Sequence, residues 1–391
     1  MSRVFGLVIV SLVFGMLIFG CASPKAPGVP PVPAPPVGAQ AVPPSEPAAA
    51  SAATGNLYVI HAPQYAVIGG KNVLFYEIYL ANRSADGLYK VEALDGSRVL
   101  KAIEGAELNE SLRAPVNGVN DYAVYMWVEL KDGDRPVAIS HKLYFEGQPA
   151  LEGAKAEINY AAPIVISPPL YGNGWLAAEA PSNFNHHRKA IITCAGSTGV
   201  SQRYAIDWIK YGENGKIYKT DAATNEDFYC YGQEIHAVAD GEIVDTKDEI
   251  PENVPWTPSP PFTVTHGGGN FVMQEIANGT YAFYAHMIPG SLRVKIGDKV
   301  KTGDVLGLLG NSGNSDAPHL HFHVATSMDA LFGKGLPYAF ESYEWEGNSD
   351  WVAQIAKNAS WDGAFGTPKT MSMGMPAFDN VVTLAPAQNS T

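Results

Sequence analysis

Residues 319 to 323 read His319-Leu320-His321-Phe322-His323, imidazole alternating with apolar side chain directly after the Gly/Asn/Ser/Asp-rich run that ends at Pro318. Successive side chains of a β-strand point to opposite faces. This spacing therefore predicts a strand with Leu320, Phe322 and Val324 toward a core and the imidazoles together on the other face. Imidazole titrates near neutral pH and is the commonest metal ligand. Two or three on one face suit metal binding or proton transfer, and a solvated histidine face is the plain alternative. The partners such a site needs must come from elsewhere in the chain.

The chain has 391 residues, room for two or three domains. With 46% apolar and 17% charged residues it fits folded domains joined by polar linkers. A net charge of −13 argues against nucleic acid as a partner, since nothing supplies the charge that phosphates require. Residues 1–21 carry Arg3, an apolar run from Val4 to Phe19 and then Gly20-Cys21, the layout of a secretion signal. A membrane anchor of about 20 residues is the competing reading. Residues 22–54 are almost entirely Pro, Ala, Gly, Val and Ser, cannot bury a core, and predict an extended tether.

The fold class expected beyond the tether is mainly β. Residues 55–165 hold β-branched and aromatic runs at 73–80, 122–128 and 138–145, separated by turn residues, which predicts an immunoglobulin-like β-sandwich. His61 and His141 stand alone there and read as structural or surface residues. Residues 166–340 continue in short strands and turns with no long helix. Residues 341–391 carry Trp345, Trp351 and Trp361 and a short helix near 350–357, and are expected to dock on the second domain.

Within 166–340 five stretches occur in order: Tyr204-Ala205-Ile206-Asp207, Ile235-His236-Ala237-Val238-Ala239-Asp240-Gly241, Tyr284-Ala285-His286, the Gly297-Asp298 and Gly303-Asp304 turns, and Pro318-His319-Leu320-His321-Phe322. Together they resemble the lysostaphin-type zinc metallopeptidases, bacterial peptidoglycan endopeptidases on a compact antiparallel β fold of the duplicated hybrid motif type. The resemblance covers roughly residues 185 to 325. It implies zinc held by a histidine, an aspartate four residues later and the second histidine of a His-x-His strand. Asp207 and His321 match. The first position falls on Arg203, whose guanidinium has no lone pair to give a cation. Residues 185–208 read as a β-hairpin turning near Ser197 and Thr198, which sets His187 opposite Asp207, or His186 if the register slips by one. That imidazole is expected to supply the donor position 203 lacks; the alternative is a His pair that merely starts a strand. His286 and His319 match the family's two non-ligand histidines, one to take a proton from the attacking water and one to stabilise the oxyanion or protonate the leaving amine. The resemblance assigns no ligand role to His323, which reads as lying behind the ligands or on the surface. His236 reads as structural, and His266-Gly267-Gly268-Gly269 as a flexible rim of the groove.

Gly20-Cys21 resembles a bacterial lipobox, which implies a lipid on Cys21 and a protein anchored in the cell envelope, facing the periplasm or the exterior, on the outer membrane where there is one. Cys194 and Cys230 remain, and in an exported protein they predict a disulfide, with a zinc–thiolate site as the alternative. The leading functional expectation is a membrane-anchored zinc endopeptidase acting on peptidoglycan cross-links, with peptidoglycan peptides, the membrane and protein regulators as partners. Against it stands a catalytically silent relative that binds peptidoglycan or regulates another wall hydrolase, for which Arg203 speaks. A carrier module, drawn from the likeness of the 297–307 hairpin to lipoyl domains, leaves the histidines unexplained.

Overall fold

The computed structural model describes residues 56–115, 121–194, 197–258, 266–363 and 368–386; the leader, the tether and Cys21 lie outside them. Strands dominate, and no α-helix among the described residues exceeds seven residues.

Two antiparallel sheets make up the N-terminal unit. One orders Leu57–Tyr58, Lys71–Leu80, Tyr122–Leu130 and Leu112–Arg113, with Gln64–Ile68 also paired to Lys71–Leu80. The other orders Arg98–Glu104, Leu88–Asp95, Ala138–Phe145 and Leu151–Glu157. The hairpin Ile68↔Lys71 closes through Gly69 and Gly70, at φ 58° and 77°; two successive left-handed residues make the tight turn whose twist matches its strands. Alternation then sorts the side chains. Leu74, Tyr76 and Ile78 join Val124, Met126 and Val128 against Val91, Ile139 and Leu143 in a core shared by the two sheets. Their neighbours Val73, Phe75, Glu77 and Tyr79 point the other way and are buried as well. Val73 and Phe75 belong to the core of the second unit, so the outer face of this sheet is covered by the rest of the chain.

The second unit is built on one long sheet. In spatial order its strands are Ile164–Ile166, Tyr338–Asn348, Asn380–Leu384, Gly172–Ala177, Ile206–Lys210, Leu320–Ala325, Thr280–Met287, Asn270–Ala277, Gly241–Lys247 and Lys299–Val300, with Lys369–Gly374 also paired to Tyr338–Asn348. All pairs are antiparallel except Ile164–Ile166 with Tyr338–Asn348. The boundary expected at residue 340 falls inside the strand Tyr338–Asn348. The C-terminal residues contribute strands to the sheet itself, because Asn380–Leu384 sits between Tyr338–Asn348 and Gly172–Ala177. The short helix near 350 is present as Trp351–Lys357, with the Asp350 side chain accepting from the Ala353 N–H at its start and left-handed Asn358 at its end.

The predicted 185–208 hairpin takes a different form. Its turn joins only Ile192–Cys194 and Ser197–Gly199, paired as Cys194↔Ser197, and the chain then leaves through a turn to enter the large sheet as Ile206–Lys210. His186–Lys189 is a single helical turn, not a strand, capped by the Asn185 side chain on the Arg188 N–H at 3.0 Å.

Candidate metal centre

Strand Leu320–Ala325 runs through the middle of the sheet, with Ile206–Lys210 on one side and Thr280–Met287 on the other. Leu320, Phe322 and Val324 enter the core, as their alternation requires. His321 pairs with Asp207 across one ladder and with Ala285 across the other. Residues directly opposite in a ladder present their side chains on one face, so the register alone brings the His321 ring to the Asp207 carboxylate. His286 follows Ala285, and His319 precedes the strand; both stand at the mouth of the same face. His286 holds φ 65°, a left-handed conformation that a β-carbon disfavours.

The third group comes from the helical turn. The His187 Nε2 lies 3.3 Å from Asp207 Oδ2 and 3.1 Å from His321 Nδ1, and His321 Nδ1 lies 2.9 Å from Asp207 Oδ1. Tetrahedral bonds of 2.0–2.1 Å to a zinc ion would place ligand atoms ~3.3 Å apart. The two imidazole nitrogens and the Asp207 carboxylate therefore stand at spacings that suit one small cation. All three residues are buried. His187 Nδ1 donates to the Glu179 carbonyl at 3.1 Å, which leaves the Nε2 lone pair directed at the site, the tautomer a ligand needs. His186 also has a ring nitrogen near His187 and Asp207. It is exposed and lies 3.6 Å from the Glu179 carboxylate, so the enclosed His321 makes the better third donor.

Electrostatics match this set. Burial opposes ionisation of Asp207, but His187 and His319 beside it, with hydrogen bonds from His187 and His321, outweigh it and hold the carboxyl well below the usual range. Burial likewise disfavours a charged His187, yet Asp207 outweighs that and raises its pKa. Burial pushes His321 down to about 4, so its ring is neutral at neutral pH.

The two remaining imidazoles share one tautomer. His286 Nδ1 donates to the Ser312 carbonyl at 2.7 Å, and His319 Nδ1 to the Ala317 carbonyl at 2.9 Å. Each therefore offers Nε2 as an acceptor, and His319 Nε2 stands 3.7 Å from Asp207 Oδ2. Their ring centres are 4.6 Å apart. Burial, with His319 and His321 nearby, holds His286 well below the usual range and so neutral.

Of the two places open to His323, it takes the one behind the ligands: it is buried, and its Nδ1 lies 2.9 Å from His321 Nε2. Two expectations need correction. His187 reaches Asp207 from a helical turn and not across a hairpin, since the strands that flank Asp207 are Gly172–Ala177 and Leu320–Ala325. Cys230 is a free thiol, buried, donating to the Pro318 carbonyl at 3.1 Å, in place of the expected bridge to Cys194. His61, His141 and His236 lie apart from the site; His141 bonds the Tyr76 hydroxyl and the Ala154 carbonyl, and His236 the Gly303 carbonyl.

Arg203 points away from the centre. Its Nε and Nη2 hold the two Glu77 carboxylate oxygens at 3.2 and 2.5 Å. The sequence carries one signal of this pair, a lone carboxylate inside the apolar run 73–80, which needs a buried partner.

The model of Peptidase family M23 matches residues 226–331, a range that contains His286, His319 and His321 and begins after Asp207. The glycyl-glycine endopeptidase ALE-1 of Staphylococcus capitis is 34% identical over 101 residues, 26% of this chain and 23% of that protein. Lysostaphin of Staphylococcus simulans is 33% identical over 96 residues, 24% of this chain and 16% of that protein. The matched segment thus spans less than a quarter of the length of these relatives. Among solved structures, the catalytic domain of the antimicrobial peptidase lysostaphin from Staphylococcus simulans is 26% identical, covering 32% of this chain and 86% of that one at a TM-score of 0.20.

Proposed function

We propose that this protein, whose residues 226–331 match the model of Peptidase family M23, is a lysostaphin-type zinc endopeptidase that cleaves peptide cross-links of peptidoglycan. The observation that carries the reading is the convergence of His187 Nε2, Asp207 and His321 Nδ1 within 2.9 to 3.3 Å of one another. These residues would hold the metal, two of them from outside the matched range. Bound zinc supplies Lewis acidity toward a scissile carbonyl and lowers the pKa of a water toward ~7.

The remaining chemistry falls to His286 and His319. Their Nε2 atoms are fixed as acceptors by carbonyls behind them, so either can take the proton of the attacking water, and the imidazole so protonated can pass that proton to the leaving amine. The reading of a catalytically silent relative drew on Arg203. That support weakens when His187 offers a third donor and Arg203 has a separate ionic partner. The anchoring reading belongs to the same proposal: Cys21 lipidated, residues 22–54 spanning from an envelope membrane, and the folded part working on the wall from that tether.

Purified full-length protein should contain one zinc per chain and digest purified peptidoglycan. His319→Ala should retain the zinc and lose activity by about 100-fold or more. His187→Ala should lose the zinc. A wild type that binds no zinc and digests no wall material would hand the protein to the silent reading.

A further inference from the structure

We propose that the N-terminal β domain is a working part of the metal centre, positioning the ligand His187 through Arg188; this rests on the metal site described above. His187 sits on one helical turn of four residues, far too short to hold its own shape. The Asn185 cap and the Glu179 carbonyl hold it from its own unit, and the next residue ties it to the other. Arg188 is fully buried and reaches into the outer face of the N-terminal sheet. Its Nη2 donates to the carbonyls of Tyr76 and Met126 at 2.6 and 3.0 Å, and its guanidinium lies 3.6 Å over the Phe75 ring. Its Nε stands 3.5 Å from Glu77 Oε1, and Nη1 donates to the Asn183 side chain at 2.7 Å.

A bare glue between domains would need only the ion pair. Here the ion pair is joined by three further contacts to strands Lys71–Leu80 and Tyr122–Leu130, from Tyr76, Met126 and Phe75, and they orient a planar fork whose Cα is bonded to the ligand residue's peptide. Asp207 has no such dependence. Its strand is paired on both sides within the sheet, so the Arg203–Glu77 ion pair can be lost without moving it. His187 alone among the ligands is tied to the other domain as well as to its own, through the residue next to it. Phe75, Tyr76, Glu77 and Arg188 are therefore positioning residues for the centre.

The contrast between the two arginines tests this. Zinc affinity is measured by chelator competition on full-length protein below its melting temperature, with the metal alone as probe, alongside thermal stability. Arg188→Met should weaken zinc by about 10-fold or more. Arg203→Met, which breaks the same carboxylate's pairing, should lower stability and leave zinc affinity within about 3-fold. Arg188→Lys keeps the charge near Glu77 but not the fork, folds more readily, and should give an intermediate loss. Unchanged affinity in both Arg188 variants, or losses in Arg188 and Arg203 variants that simply track stability, would overturn the proposal while leaving the metal site standing. A wild type without zinc overturns both.

Discussion

His323 acts on the centre through another imidazole. For His321 to turn an Nδ1 lone pair toward Asp207 and His187, its own proton must sit on Nε2, and that atom lies 2.9 Å from His323 Nδ1. Burial, with His321 and His187 close by, keeps His323 neutral, so its Nδ1 can accept. Removing the acceptor leaves a buried N–H unpaired and lets the ring swing. His323→Ala should therefore weaken zinc by about 10- to 100-fold, whereas His323→Gln, which keeps an acceptor, should recover much of it. Chelator competition checks this, and equal affinity in all three proteins would show that the His321 ring is fixed by its ladder alone. The same residue marks what the sequence could carry. Alternation places His321 and His323 on one face, but it reports direction and not depth, so nothing distinguished a buried partner from a surface histidine. His187 was legible as a residue type near Asp207 in sequence, while the path that brings it there depends on contacts with a distant domain.

At the scale of elements, the loop 311–318 and the glycine run 267–269 hold the proton-handling side of the site. Ser312 is the pivot: its carbonyl accepts from His286 Nδ1, and its hydroxyl accepts from the Asn270 N–H and donates to the Met287 carbonyl. Gly313, at φ 78°, packs so closely that a β-carbon on it would stand 2.2 Å from the Gly269 nitrogen. That is nearer than any non-bonded contact allows, and the strained φ adds to the cost. Gly313→Ala should displace the Ser312 carbonyl and with it His286. Turnover on peptidoglycan is expected to fall by about 10-fold or more while zinc affinity holds, because no ligand lies on this loop. Steady-state hydrolysis measured at saturating zinc separates the two; lost zinc binding would mean the loop supports the ligands as well. In sequence, Gly267-Gly268-Gly269 reads as a flexible rim, since glycine serves mobility and close approach alike. Only the neighbours decide, and here a β-carbon on Gly268 would meet the Phe283 ring at 2.7 Å.

The molecule as a whole should unfold as one body. Ala66, Ile68, Val73 and Phe75 of the N-terminal sheet lie in the same buried cluster as Tyr204, Trp208 and Phe340 of the second unit. The C-terminal segment closes the seam, since backbone bonds join Gly69 N–H to the Met375 carbonyl and Met375 N–H to the Val67 carbonyl. The β class was legible in the chain because turn residues and alternation are local. The seam was not, because a sheet's outer face is covered or bare according to what folds elsewhere. Its trace in sequence is the run Val73–Leu80, apolar on both faces apart from Glu77, as a strand buried on both sides must be. Phe75 tests the unity of the two parts. Its ring meets Trp127 and Tyr204, with centres 5.2 and 5.5 Å away, and carries the Arg188 guanidinium. Truncation leaves a cavity between the units and costs about 3–5 kcal/mol. Calorimetry of the wild type should show one transition whose calorimetric and van't Hoff enthalpies agree. Phe75→Ala should lower the midpoint and separate the N-terminal unit into its own earlier transition. Because Arg188 loses its platform with the ring, zinc should protect this variant less than the wild type; two independent transitions already present in the wild type would mean that the seam is contact without cooperation.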